Sequence, residues 1–159
     1  MYSYSNASMF FVIIHDVRSI LNVGSIFRTA DGAGVSKIYL TGYTPGPDTH
    51  PDKLTKTALG AEKSVPWERA RRVGDVARKL RGQGVEVVAL EQTKNSIDYR
   101  KHQPKKDFAL IVGNEVTGIR NMSHNVDTYI EIPMRGSKES LNVSVAFGIA
   151  AYELTRKKK

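Results

Sequence analysis

The chain contains no cysteine. That excludes disulfides, thiolate metal sites and cysteine nucleophiles, and it fits a reducing compartment. No apolar run approaches the ~20 residues that span a bilayer. The longest near the start, Met9 to Ile14, is too short, and its flanks lack the basic region and cleavage site of a signal peptide. A soluble, cytoplasmic protein is expected. There is no Gly-x-Gly-x-x-Gly and no Walker-type Gly-Lys-Ser/Thr, so dinucleotide and triphosphate binding have no sequence support. His15, His50, His102 and His124 are scattered without ligand spacing, so no metal site is expected. Ser137, Ser140 and Ser144 sit in no Gly-x-Ser-x-Gly elbow, which argues against a hydrolase nucleophile.

Acidic residues are also in short supply: 16 Asp and Glu stand against 24 Lys and Arg, a net charge of +8 over 159 residues. Four of those positives lie in the tail Arg156-Lys157-Lys158-Lys159. The tail is either a phosphate-seeking arm or a solvated helix end where cations suit the macrodipole. A second cluster holds Arg69, Arg71, Arg72, Arg78, Lys79 and Arg81, and a third holds Arg100, Lys101, Lys105 and Lys106. Together they point to a polyanion partner. The length suits one domain over residues 1–159, with 1–8 and 156–159 as flexible ends.

Strand and helix signals alternate. Met9–Ile14 is a continuous apolar run of the kind buried on both faces of a sheet, Val85–Leu90 is a strand, Asp107–Val112 is another, nearly all apolar, and Lys37–Thr41 and Tyr129–Ile132 are shorter strands. Asn22 can cap a helix with Val23, Ile26, Phe27 and Ala30 inward, ending near Gly32 or Gly34. Gly42–Lys56, with three prolines, reads as a long irregular loop. Trp67–Arg81 reads as an amphipathic helix with Val73, Val76, Ala77 and Leu80 inward. Leu141–Leu154 is a last helix, apolar over more than one stripe, whose small residues suit either core packing or a subunit interface. The pattern predicts an α/β fold with a mainly parallel sheet flanked by helices.

In such sheets ligands bind beyond the carboxyl ends of the strands. Three polar segments meet that condition: Asn22 to Arg28, Gly113-Asn114-Glu115 to Gly118, and Ile132-Pro133-Met134 leading to Ser140-Leu141-Asn142-Val143-Ser144. Each residue has a plain alternative. Asn22 and Asn142 can be helix caps, Arg28 a solvated helix residue, and Glu115 a cap of the next turn.

At these residues the sequence resembles the TrmH/SpoU branch of the SPOUT RNA methyltransferases. All three family motifs stand in order: Asn22 to Arg28 with Thr29 and Ala30, Leu110 to Glu115 with Gly118, and Ile132-Pro133-Met134 followed by Ser140 to Ala146. The resemblance runs from about Phe10 to Leu154. It implies methyl transfer from S-adenosylmethionine to a ribose 2′-hydroxyl of structured RNA, with tRNA favoured over rRNA. It also implies a C-terminal deep trefoil knot and a homodimer. The resemblance places Leu90, Gly113, Ile132, Ser140 and Leu141 at the cofactor. It places Arg28 at the reaction, with Asn22, Glu115, Ser140 and Asn142 orienting the groups and Glu115 as an alternative proton acceptor. Substrate recognition falls to Arg28, Lys53, Lys56, Lys63 and the tail around Lys157. A non-catalytic RNA-binding protein that keeps the knot, and a knotted enzyme that methylates a base, remain the competing readings.

Overall fold

The run Phe10-Phe11-Val12-Ile13-Ile14 has no polar residue to turn towards water. In the computed structural model, which describes residues 7–114, 116–119 and 123–156, it forms β1 (Phe10–His15) at the heart of the sheet. The chain then passes through α1 (Ile20–Ala33), β2 (Lys37–Thr41), α2 (Pro51–Ala58), α3 (Ala61–Ser64) and β3 (Trp67–Ala70). It continues through α4 (Val73–Gly82), β4 (Glu86–Leu90), β5 (Ile97–Asp98), β6 (Phe108–Val112), β7 (Thr128–Glu131) and α5 (Val143–Leu154). Seven strands form one sheet in the order β3-β2-β1-β6-β4-β7-β5. Every pairing is parallel, with Ile13 level with Tyr39 on one side and Ile111 on the other.

Alternation along the strands divides the core into two layers. Val12, Ile14, Ile38, Leu40, Leu110 and Val112 pack with the buried sides of α1, α2 and α5. Phe11, Ile13, Tyr39, Val87, Ala89 and Ile111 pack with Val73, Val76, Ala77 and Leu80 of α4. The expected α/β class with a mainly parallel sheet is therefore what the chain forms. Among the described residues no helix is long and apolar enough to cross a membrane.

Three local expectations are corrected. Asn22 does not cap α1: the cap is Ser19, whose hydroxyl accepts the Asn22 N–H at 3.2 Å, so Asn22 lies inside the first turn. The stretch Gly42–Lys56 is not irregular throughout, because Pro51 starts α2 at a position where a missing N–H costs nothing. The helix expected over Trp67–Arg81 begins only at Val73, and Trp67–Ala70 is instead the edge strand β3 beside β2. An edge strand tolerates charged residues because one side meets solvent, which hid Glu68 and Arg69 in a helical pattern.

Candidate functional site

The neighbouring strands β6, β4 and β7 all end at the same edge of the sheet. Past their carboxyl ends lies a cavity of about 300 Å³. Leu90 reaches it from the end of β4, Gly113 from the end of β6, Ile132 from the end of β7, and Ser140 and Leu141 from the loop that enters α5. All five residues expected at the cofactor thus line one space. Val112, Met134 and Ala146 add apolar wall. Glu91, Glu131 and Glu139 also line it, and among the described residues no Lys or Arg does.

The turn that follows β6 is tightly built. Asn114 Oδ1 accepts the Val116 and Thr117 N–H groups at 2.8 and 3.0 Å, and Gly118 N donates back to the Asn114 carbonyl at 2.8 Å. A Cβ on Gly113 would lie 2.7 Å from Ile119 Cγ1 and 3.2 Å from the Gly118 oxygen, so only glycine lets the turn close here. Gly118 has φ +63° and sits against the Glu91 carboxylate. Glu91 Oε1 accepts the Ile119 N–H at 3.1 Å and so ties the turn to β4. On the opposite rim the Gln92 side-chain amide donates to the Glu139 carbonyl at 2.8 Å. Sequence reading missed Glu91 and Gln92. Their signal was position alone, two polar residues directly beyond a strand's carboxyl end.

Burial holds the Glu91 carboxyl above the usual carboxylate range, against the smaller opposing pull of the Ile119 N–H. The folded chain therefore keeps that proton to higher pH than the unfolded chain, and stability falls as pH rises through this window. Glu91→Gln retains the acceptor without the charge. It is expected to raise the melting temperature above the window and leave it unchanged at pH values where Glu91 is protonated in both states. Thermal unfolding of both proteins across pH checks this, and a shift of the same size at every pH would sink the argument.

Beside the cavity, α1 and α5 run side by side in the same direction. Asn142 caps α5, its Oδ1 accepting from Ser144 N at 2.9 Å and Val145 N at 3.3 Å, while its Nδ2 donates to Asn22 Oδ1 at 3.2 Å. The two asparagines, 120 residues apart, thus join the first turns of the two helices. Further along, Thr29 faces Gly148 and Gly32 faces the Tyr152 hydroxyl. Arg28 lies on the exposed side of α1, outside the cavity lining. Glu115 and Lys157 lie outside the described residues. Lys53 and Lys56 on α2 and Lys63 on α3 are exposed.

Part of the basic surface is committed to the fold. Arg69 grips both oxygens of Asp48 at 2.7 and 2.8 Å and donates to the Thr44 carbonyl at 2.7 Å, pinning the turn after β2. Arg78 pairs with Asp75, Arg81 with Asp127, Arg100 with Asp98 and Arg156 with Glu153. Arg71, Arg72, Lys101, Lys105 and Lys106 are exposed and form no ion pair among the described residues.

The parallel sheet carries a partly apolar cavity at its carboxyl edge, the place where open α/β sheets hold small ligands. Comparison with known proteins places it more closely. Residues 9–152 match the SpoU rRNA Methylase family, and the chain belongs to that family. It is 32% identical over 149 residues to the Escherichia coli K12 tRNA (guanosine(18)-2'-O)-methyltransferase, covering 93% of this chain and 63% of that protein. It is 33% identical over 156 residues to a 23S rRNA (guanosine-2'-O-)-methyltransferase of Vibrio vulnificus, covering 96% of this chain and 61% of that one. The chain therefore spans rather less than two thirds of these relatives. Among solved structures it resembles an AdoMet-bound rRNA methyltransferase from Sinorhizobium meliloti, with TM-score 0.83, 34% identity, and coverage of 92% of this chain and 55% of that one. It also resembles the A. aeolicus TrmH/SpoU tRNA modifying enzyme, with TM-score 0.83, 30% identity, and coverage of 93% and 74%.

Proposed function

We propose that the chain transfers a methyl group from S-adenosylmethionine to a ribose 2′-hydroxyl of structured RNA, with tRNA favoured over rRNA. The observation that carries this reading is the convergence of Leu90, Gly113, Ile132, Ser140 and Leu141 on one cavity. Its chemistry fits the cofactor. Leu90, Ile132 and Leu141 offer apolar faces to a flat ring, and the backbone around Gly113 offers close hydrogen-bonding groups. Among the described residues three carboxylates and no Lys or Arg line it, which suits a ligand that carries sulfonium and ammonium charge.

When bound, S-adenosylmethionine supplies a methyl group already activated on sulfur. The protein's work is then to position the ribose oxygen and ease the loss of its proton. Arg28, exposed on α1 outside the cavity, binds the phosphate next to the target ribose and stabilises the developing alkoxide. It does not act as a base, because a guanidinium stays protonated in proteins. The Asn22–Asn142 bond aligns the helix that carries Arg28 with the cavity rim. Glu115 is the candidate proton acceptor. Lys53, Lys56, Lys63 and the tail around Lys157 meet further phosphates.

The same reading includes the family's deep trefoil knot, one methyltransferase domain over residues 1–159, a cytoplasmic setting and a homodimer. The dimer is supported by α5, which leaves Val145, Ile149 and Tyr152 exposed at 51%, 37% and 56%, with Leu21 of α1 exposed at 47%.

The direct test is tritiated methyl transfer from S-adenosylmethionine into total tRNA and, separately, rRNA, followed by mass spectrometry of the digested nucleosides. A 2′-O-methylated nucleoside is expected, from tRNA first. A base-methylated nucleoside would move the chemistry to the ring. RNA binding without cofactor binding would favour a non-catalytic RNA-binding protein.

A further inference from the structure

We propose that Tyr43 and Arg18 form a stacking platform for an unpaired base of the RNA substrate, directly beside the cofactor cavity. This rests on the reading of the chain as an RNA-acting protein, and it adds a recognition element to that site.

The platform is built by the ends of β1 and β2. Gly42 (φ +63°) turns the chain sharply after β2 and lies against the Asp16 carboxylate. Asp16 adopts φ +53°, a left-handed conformation that is uncommon for a non-glycine residue and needs surrounding structure to hold it. Its side chain accepts the Tyr43 N–H at 3.0 Å, and its carbonyl accepts Asn114 Nδ2 at 3.0 Å. The same Asn114 Nδ2 donates to the Tyr43 hydroxyl at 2.8 Å. One amide therefore fixes both the backbone beneath Tyr43 and the outer end of its ring. Beneath, Thr44 is fully buried, its hydroxyl donating to the Ile14 or Thr41 carbonyl and accepting from Val17 N.

What this scaffold holds is an aromatic side chain left 53% exposed. The Arg18 guanidinium carbon stands 5.8 Å from the ring centroid. Arg18 is itself exposed and forms no ion pair among the described residues. A rigid aromatic face together with an exposed planar cation matches the chemistry of an unstacked nucleobase and its adjoining phosphate. Bases stack on Tyr rings and on Arg planes, and the ordering cost is low when the ring is already held. The position fits as well, because Asn114 lines the cavity while anchoring the ring. A nucleotide presented from a single-stranded loop has an unstacked base to offer, and the platform lies where its base, or that of a neighbour, can be received.

The test uses the full chain without cofactor and a pair of single-stranded decaribonucleotides. One carries a central 2-aminopurine and the other an abasic residue at the same place. The wild type is expected to bind the first more tightly, roughly tenfold or more given the usual strength of base–aromatic stacking, and to quench its fluorescence. Tyr43→Ala should lose both the preference and the quenching. Tyr43→Phe should keep most of both, since the ring remains, and Arg18→Ala should weaken both. Equal affinity of the wild type for the two oligomers, or an unchanged preference in Tyr43→Ala, would overturn the proposal. Calorimetric titration of Tyr43→Ala with S-adenosylmethionine is expected to match the wild type and checks that the site is intact. Failure of the wild type to bind that cofactor would count against the methyl-transfer reading, separately from the stacking result.

Discussion

Arg28→Ala is expected to lower methyl transfer by about 100- to 1000-fold, the usual loss when one donor to a developing oxyanion is removed. Affinity for S-adenosylmethionine should stay unchanged. The division follows from position. Arg28 projects from the exposed side of α1 and takes no part in the cavity wall, so truncating it leaves the ligand's surroundings as they were. Arg28→Lys should recover only part of the activity, because an ammonium keeps the charge but loses the planar fork that grips a phosphate. Single-turnover transfer and calorimetric cofactor binding, measured on the same preparations, separate the effects. Loss of cofactor binding in Arg28→Ala would place the side chain in the methionine part of the pocket. Unchanged transfer would reduce it to a solvated helix residue.

Gly24→Ala should destabilise the protein by about 1–3 kcal/mol, the usual range for overpacking. Gly24 is where α1 meets α2. A Cβ there would collide with the Thr57 hydroxyl and lie 2.7 Å from the Leu54 carbonyl and 3.1 Å from Ala58 N. Two of these neighbours are backbone, which cannot swing aside as a side chain can. The better helix propensity of alanine returns only about 0.5–1 kcal/mol, so the clash wins. Because α1 carries Asn22 and Arg28, transfer should fall as well if α2 is pushed away. Gly82→Ala is the control, since nothing lies within 4 Å of that position at the end of α4 and a smaller propensity gain should appear there unopposed. Thermal unfolding of the two variants is expected to move in opposite directions. A melting temperature in Gly24→Ala at or above the wild-type value would show that α2 can slide without cost.

Much of the framework was legible because burial leaves a one-dimensional trace. β1 and β6 were readable as apolar runs, and α1 as a stripe whose members Val23, Ile26, Phe27 and Ala30 are all buried. The misreadings came from places where two local rules compete. Ser19 and Asn22 are both good caps three residues apart, and the choice between them rests on which hydroxyl or amide meets an N–H in three dimensions. Pro51 breaks a helix in its interior but suits its first turn, so the same residue reads as loop or as helix start. Trp67–Ala70 is a strand only because β2 is there to pair with it.

By itself, the sequence determined the α/β alternation, the basic character of the surface and the three motifs that mark the family, since each depends on residues close together along the chain. Only the tertiary structure decided that β6, β4 and β7 are neighbours, and hence that Leu90, Gly113, Ile132 and Leu141 share one cavity. Strand order had no local signature here, because any parallel crossover of suitable length satisfies the same hydrophobic pattern. The Asn22–Asn142 bond, the tie from Glu91 to Ile119 and the anchoring of Tyr43 by Asn114 are of the same kind. Each joins residues that the chain separates widely, and each exists only because strand order and helix packing on the sheet bring those polar groups within hydrogen-bonding distance.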